Sequence, residues 1–161
     1  MLQKNKNLIK NIYLLIILVA SDQLIKLLVE NYLTYHKPLN ILPFFSLLKT
    51  YNTGIAFSFL QNIPSLTLLI ISIITCLFFC YLWYTTNKTH KWQKLAYLLI
   101  IAGALGNMID RLSKGYVVDY LYLHSNTYNF SFAVFNLADS FITIGAIILI
   151  ANELINIRKK E

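Results

Sequence analysis

Eighteen consecutive residues, Leu66 to Trp83, carry no charged side chain, and a run of that length has few places to go in water. A bilayer core takes about 20 predominantly apolar residues in helix, because no water is present there to satisfy a bare backbone. Pro64 precedes the run and Thr85-Thr86-Asn87-Lys88 follows it, so both ends are marked. Leu95 to Ile109 is shorter and includes Asn107, but Trp92 stands before it as an interfacial anchor and Arg111 after it. Two other segments reach crossing length only by taking in charge. Ile12 to Ala20 must continue through Ser21, Asp22, Gln23 and Lys26 to about Val29, and Phe141 to Ala151 must take in Leu137, Ala138, Asp139 and Ser140 on one side and Leu154 to Ile157 on the other. The expected fold is a polytopic α-helical membrane protein, one domain over 1–161, with spans at about 11–29, 65–84, 94–111 and 137–157 and outer connections at about 30–63 and 112–136.

Composition agrees with a membrane domain and removes other classes. Apolar residues make up 57% and charged residues 13%, against about a quarter charged in soluble domains, while 11 Tyr and 10 Phe exclude a disordered chain. A net charge of +7 could suggest nucleic acid in a soluble protein, but here the basic residues sort by span. Lys4, Lys6, Lys10, Lys88, Lys91, Lys94, Arg158, Lys159 and Lys160 fall on one side, and Lys37, Lys49, Arg111 and Lys114 on the other. The positive-inside rule then puts both termini in the cytoplasm, and no nucleic-acid partner is expected. Lys4, Lys6 and Lys10 ahead of an apolar run ending in Val19-Ala20-Ser21 also fit a cleaved signal peptide. Against that, Asp22 and Lys26 lie four apart with the acid first, the spacing of an ion pair on one face of a retained helix.

With that topology Asp22, Asp110 and Asp139 share the outer-leaflet depth, and Asp119, in Val117-Val118-Asp119-Tyr120, can dip to the same level. Glu30, Glu153 and Glu161 have blander places at span ends or the terminus. An acid at membrane depth costs roughly 2.5–3.5 kcal/mol on insertion scales and is by default a functional candidate. Two close carboxyl groups share one proton, so one is a base and the other an acid at the same pH. Such a pair can activate water against a carbonyl and assist the leaving amine, without a metal, a cofactor or a covalent nucleophile. His36, His90 and His124 lack ligand spacing, no H-E-x-x-H, Walker or G-x-G-x-x-G pattern occurs, and Cys76 and Cys80, one turn apart within a span, suit a small apolar or lipid-facing role. Other readings stay open on these residues alone. Asp139 is favoured at a helix N-terminus without any chemistry, and buried Asp and Lys also mark a small transporter or proton-relay subunit. A non-catalytic assembly subunit is a third possibility. A relay, however, needs ionisable groups in succession across the membrane, whereas these gather at one face.

Five segments in order carry more than periodicity: Asp22-Gln23-Leu24-Ile25-Lys26, Asn52-Thr53-Gly54-Ile55-Ala56-Phe57-Ser58, Gly103-Ala104-Leu105-Gly106-Asn107-Met108-Ile109-Asp110-Arg111, Val117-Val118-Asp119-Tyr120 and Phe132-Ala133-Val134-Phe135-Asn136-Leu137-Ala138-Asp139-Ser140. Over about residues 20 to 145 the chain closely resembles the bacterial lipoprotein signal peptidases, also called signal peptidase II. The resemblance implies an aspartic endopeptidase of the bacterial inner membrane, with its site at the outer face. It would remove the signal peptide from lipid-modified prolipoproteins on the N-terminal side of the diacylglyceryl-cysteine, next to membrane lipid, and globomycin-type cyclic peptides would block it. Asp119 and Asp139 would be the catalytic pair. Asp22, Lys26, Asn52, Gly54, Gly103, Asn107, Arg111, Asn136 and Ala138 match positions that bind substrate or shape the site, although Gly103 and Gly106 also suit plain helix packing and Asp110 reads as structural. The family fold adds a small extracytoplasmic β-sheet and a short outer helix, drawn from about residues 38–62 and 120–130. Two positions depart from the family pattern: Ala102 stands for a glycine, and Tyr120 for a phenylalanine. Tyr120 brings a hydroxyl that needs a polar partner.

Overall fold

The computed structural model describes residues 2–54, 65–87, 89–125 and 130–158. Within them, α1 (Leu2–Tyr32), α2 (Ser65–Thr85), α3 (Lys91–Lys114) and α4 (Leu137–Arg158) are each long and apolar enough to cross a membrane. They are transmembrane helices, and their lipid-facing sides are studded with exposed Ile and Leu, among them Ile16, Ile17, Leu66, Ile74, Leu77, Ile147 and Ile150. Burial is uneven: 61% of the apolar stretch of α3 is inside the protein against 11–17% for the other three, which makes α3 the central helix. Its composition explains this. Ala96, Ala102, Gly103, Ala104 and Gly106 are small, and small residues let helices approach closely where lipid offers no hydrophobic push.

The approach between α3 and α4 is close. A Cβ built on Gly103 would strike the carbonyl oxygen of Ala138, and one on Gly145 would lie 2.7 Å from the carbonyl oxygen of Ala96. Backbone cannot yield as a side chain tip can, so Gly103→Ala is expected to push α3 and α4 apart at a cost of about 1–3 kcal/mol. A lowered unfolding temperature in detergent, with cleavage reduced in parallel, would show it.

A four-stranded antiparallel sheet lies at one end of the bundle, in the order β1 (Leu39–Leu42), β2 (Phe45–Asn52), β3 (Val117–Ser125) and β4 (Phe130–Ser131). β1 and β2 lie within the first segment expected to supply the sheet, 38–62, whereas β3 begins at Val117, three residues ahead of the second, 120–130. No short helix occurs in the described parts of 38–62 and 120–130; residues 55–62 and 126–129 lie outside the described residues. Gly115 joins α3 to β3: its φ of 83° is left-handed, and its N–H donates to the Arg111 carbonyl at 3.1 Å, a C-terminal stop that glycine makes at no steric cost. Lys49 of β2, nearly buried, donates to the Glu30 carbonyl at 2.9 Å and so ties the sheet to the C-terminal turn of α1. Glu30, bland on sequence grounds, also pairs with Lys114 at 2.6 Å. Val29, Val118 and Tyr120 form the apolar cluster between α1 and the sheet.

Candidate active site

The N-terminus of α4 is buried, and a buried helix start must find acceptors for its free N–H groups. Each comes from a different place. The Leu137 N–H donates to the Tyr120 hydroxyl at 3.2 Å, the Ala138 N–H to Asp22 Oδ1 at 3.0 Å, and the Asp139 N–H to Asn136 Oδ1 at 2.9 Å. Asp139 in turn accepts the Asn136 N–H on Oδ2 at 3.2 Å, so Asn136 and Asp139 form a reciprocal capping box. Tyr120 thus finds its partner at the helix start. Removing the hydroxyl in Tyr120→Phe leaves that N–H without an acceptor, and a stability loss of about 1–2 kcal/mol is expected, read by thermal unfolding.

Asp119 arrives from β3. Asn52 is paired with Val117 across the β2–β3 ladder, so Asp119, two residues on, is its diagonal neighbour on the same face, and Asn52 Nδ2 donates to Asp119 Oδ2 at 2.9 Å. Asn136 Nδ2 donates to Asp119 Oδ1 at 2.7 Å and to Asn107 Oδ1 at 3.1 Å. Asn107 Nδ2 donates to Asp139 Oδ1 at 2.7 Å. Asn136 therefore touches both carboxyl groups, that of Asp119 through its side chain and that of Asp139 through its backbone N–H. Burial, and after it the neighbouring Asp139 charge, push the Asp119 carboxyl up to about 7 against the pull of the Asn52 and Asn136 donors.

Both carboxylates open into one cavity of about 710 Å³. Its polar end holds Asn52, Asn107, Arg111, Asp119 and Asp139, and its apolar end runs between α2 and α4 past Leu68, Ile71, Ile142 and Ile144. Arg111 Nη2 donates to the Gly54 carbonyl at 3.3 Å, and the Gly54 N–H to Asn52 Oδ1 at 2.9 Å, which folds the end of β2 over the polar end. Behind the cavity, Lys26 is fully buried with Nζ 2.9 Å from Asp22 Oδ2, 2.9 Å from Asp110 Oδ2 and 3.0 Å from Asn107 Oδ1.

Of the residues singled out by sequence, Asn52, Asn107, Arg111, Asp119 and Asp139 line the cavity and Asn136 joins its two acids. Gly54 is held by Asn52 and Arg111. Asp22, Lys26, Gly103 and Ala138 stand one layer back, where they fix α4 against α1 and α3. Sequence reasoning missed one support, Gln23, and left the partners of another, the structural Asp110, unnamed. Gln23 Nε2 donates to Asp22 Oδ2 and to the Gly106 carbonyl, both at 3.1 Å, and nothing in its spacing announces this. Asp110 accepts the Val118 N–H at 3.2 Å and lies 3.3 Å from Lys114; its i,i+4 lysine was the available signal. Among the described residues no three His, Cys, Asp or Glu side chains gather as a metal site needs.

The chain matches the family model of signal peptidase (SPase) II over residues 14–155. It is 45% identical over 148 residues to the lipoprotein signal peptidase of Sinorhizobium fredii, covering 92% of this chain and 87% of that one. With the lipoprotein signal peptidase of Brucella ovis it shares 43% over 151 residues, 94% and 93% of the two chains. In three dimensions it superposes on a bacterial membrane enzyme solved by the in meso method at 2.3 Å resolution with a TM-score of 0.84 and 29% identity, covering 94% of this chain and 92% of that one. A second bacterial membrane enzyme, solved in the same way at 1.9 Å resolution, gives 0.79 and 30% over 90% and 92%. Since the matched residues run from within α1 to within α4 and take in every element that lines the cavity, the chain belongs to the signal peptidase II family, the aspartic peptidases of lipoprotein maturation.

Proposed function

We propose that this protein cuts lipid-modified prolipoproteins on the N-terminal side of the diacylglyceryl-cysteine, with Asp119 and Asp139 activating the attacking water. The observation that carries this reading is the meeting of two carboxyl groups, one from β3 and one from α4, on a shared asparagine at the polar end of a cavity with an apolar arm. The ionised member takes a proton from water as its oxygen attacks the scissile carbonyl, and the protonated member hydrogen-bonds that carbonyl and then passes its proton to it. Collapse of the tetrahedral species releases the new amine. Arg111 uses one N–H on Gly54 and has others to offer a substrate carbonyl. The apolar arm between α2 and α4 suits the acyl chains of the lipidated cysteine and gives access to membrane lipid; globomycin-type cyclic peptides would compete for the same space.

The charge distribution supports a sidedness. By sequence, nine Lys and Arg residues sort with the two termini and the connection between the second and third spans, so both termini face the cytoplasm and the cavity opens at the outer face of the bacterial inner membrane. One domain, 1–161, with four spans, accounts for the whole chain. A relay would need ionisable groups in series, whereas Asp22, Lys26, Asp110 and Asp119 are buried together at one end, with the half-buried Asp139 beside them.

The experiment is cleavage by the purified full-length protein in detergent, with a diacylglyceryl-modified prolipoprotein beside its unmodified precursor, each with and without a metal chelator. Cleavage before the lipidated cysteine, slow on the precursor and indifferent to chelator, is expected. Loss of cleavage with chelator, or equal rates on the two substrates, would defeat the proposal.

A further inference from the structure

Resting on the peptidase reading above, we infer that the pair is asymmetric by construction: Asp139 is the ionised base that takes the proton from water, and Asp119 is the acid that hydrogen-bonds the scissile carbonyl. Three features of the site support the division.

The first is the capping box. Asp139 lies in the first turn of α4, and its Oδ2 accepts the Asn136 backbone N–H at 3.2 Å. Backbone donors and the positive end of a helix favour a carboxylate over a neutral acid. Asp119 stands on a strand, which has no comparable dipole, and its two donors are neutral side-chain amides.

The second feature is a lock on Asn107. The Lys26 ammonium has hydrogens and no lone pair, so the atom of Asn107 that it meets at 3.0 Å must be the amide oxygen. Asn136 Nδ2 donates to that same oxygen at 3.1 Å. The amide therefore cannot turn round, and its NH2 stays directed at Asp139 Oδ1, 2.7 Å away. With the capping box, each oxygen of Asp139 faces an N–H donor whose direction is fixed by the fold.

The third feature is the surrounding charge. Facing the pair are Lys26 and Asp22 from α1, Arg111 and Asp110 from α3, and the Tyr120 hydroxyl from β3. Asp22 opposes ionisation of Asp139, but the Lys26 ammonium 2.9 Å away offsets its charge. Asp110 is likewise held by Lys26 at 2.9 Å and by Lys114 at 3.3 Å. Arg111 lines the same cavity as both acids and adds positive charge beside the pair. A close pair holds one proton between its members, and it settles on Asp119, the member with neither a backbone donor nor a helix N-terminus to favour its charge.

The cycle then closes without a co-reactant. Asp139 takes a proton from water as the C–O bond forms, and the Asp119 proton moves to the carbonyl oxygen, giving a gem-diol. Asp139 returns its proton to the leaving nitrogen as the C–N bond breaks, and one gem-diol hydroxyl restores the proton to Asp119. Cleavage is expected to fall as pH rises through about 7, where Asp119 loses the proton it must supply.

Infrared spectra of protein labelled with 13C at the aspartate side-chain carboxyl test the assignment without substrate. A unit below that midpoint the parent should show the C=O stretch of a protonated acid. The band should vanish in Asp119→Asn and persist in Asp139→Asn; alanine variants carry the same expectation where the asparagine form does not fold. A band that survives Asp119→Asn, or none in the parent, overturns the assignment. Band and activity separate the two levels: a band on Asp119 in folded protein that fails to cleave sinks the peptidase reading, whereas cleavage with the band on Asp139 sinks the assignment alone.

Discussion

Asp119→Asn and Asp139→Asn are each expected to lower kcat/KM for a lipidated prolipoprotein by about 10³-fold or more. The substitution keeps the shape of the side chain and removes only its proton chemistry, since an amide neither takes nor supplies the proton that the reaction moves. Neither change is free of structural cost. Both oxygens of Asp139 accept N–H donors, from Asn107 and from the Asn136 backbone. An asparagine there must turn its NH2 toward one of them, and Asn107 cannot answer by flipping while Lys26 holds its oxygen. Asp119→Asn meets the same conflict between Asn52 and Asn136. Each variant is therefore expected to lose about 1–3 kcal/mol of stability, too little to account for the loss of rate if the protein remains folded. The double variant should be no worse than the single ones, because two groups that act as one unit are not additive. Kinetics and thermal unfolding on the same preparations decide it, and a folded single variant cleaving at near the parent rate would end the dyad assignment.

The helices were legible because a bilayer leaves so few choices: a run such as Leu66 to Trp83 can hardly be anything else, and Asp22 with Lys26 reads directly as an i,i+4 pair, found at 2.9 Å. The sheet was not legible from periodicity. Val117, Val118, Asp119 and Tyr120 are all buried, because one face of β3 packs toward α1 and the other holds the site, so the polar–apolar alternation of a half-exposed strand is missing. It came from the resemblance alone. Depth along the helices put Asp22 and Asp139 at one level, yet spacing could not reveal that Asp22 caps α4 across 116 residues of chain. Long-range polar pairing leaves little periodic trace, and for that reason Gln23 went unread and Asp110 was read as structural without its link to Lys26. The acids of the site could be listed from sequence; the amides that orient them needed the fold.

Lys26→Met is the variant expected to do most damage to the fold. The Lys26 ammonium is buried with its three hydrogens matched to three acceptors, Asp22, Asp110 and Asn107. Removing one partner of such a buried group costs about 3–5 kcal/mol, chiefly because the opposite charges are left unpaired in a dry interior. Against a total of roughly 5–15 kcal/mol for a folded domain, that is enough to bring the protein close to unfolding. The two acids do not suffer equally. Asp110 keeps Lys114 at 3.3 Å, whereas Asp22 is left with only neutral donors, Gln23 and the Ala138 N–H. Neutralising Asp22 should therefore rescue the fold, and Lys26→Met with Asp22→Asn is expected to regain most of the lost stability, since the asparagine oxygen can still accept from Ala138. Activity should not return with it. Without the ammonium, the Asn107 oxygen keeps only the Asn136 donor, so the amide that donates to Asp139 is held less firmly and the base is less well oriented. A rescued unfolding temperature with cleavage still depressed separates the positioning role of Lys26 from its part in the fold; recovery of both together would make Lys26 a structural residue only.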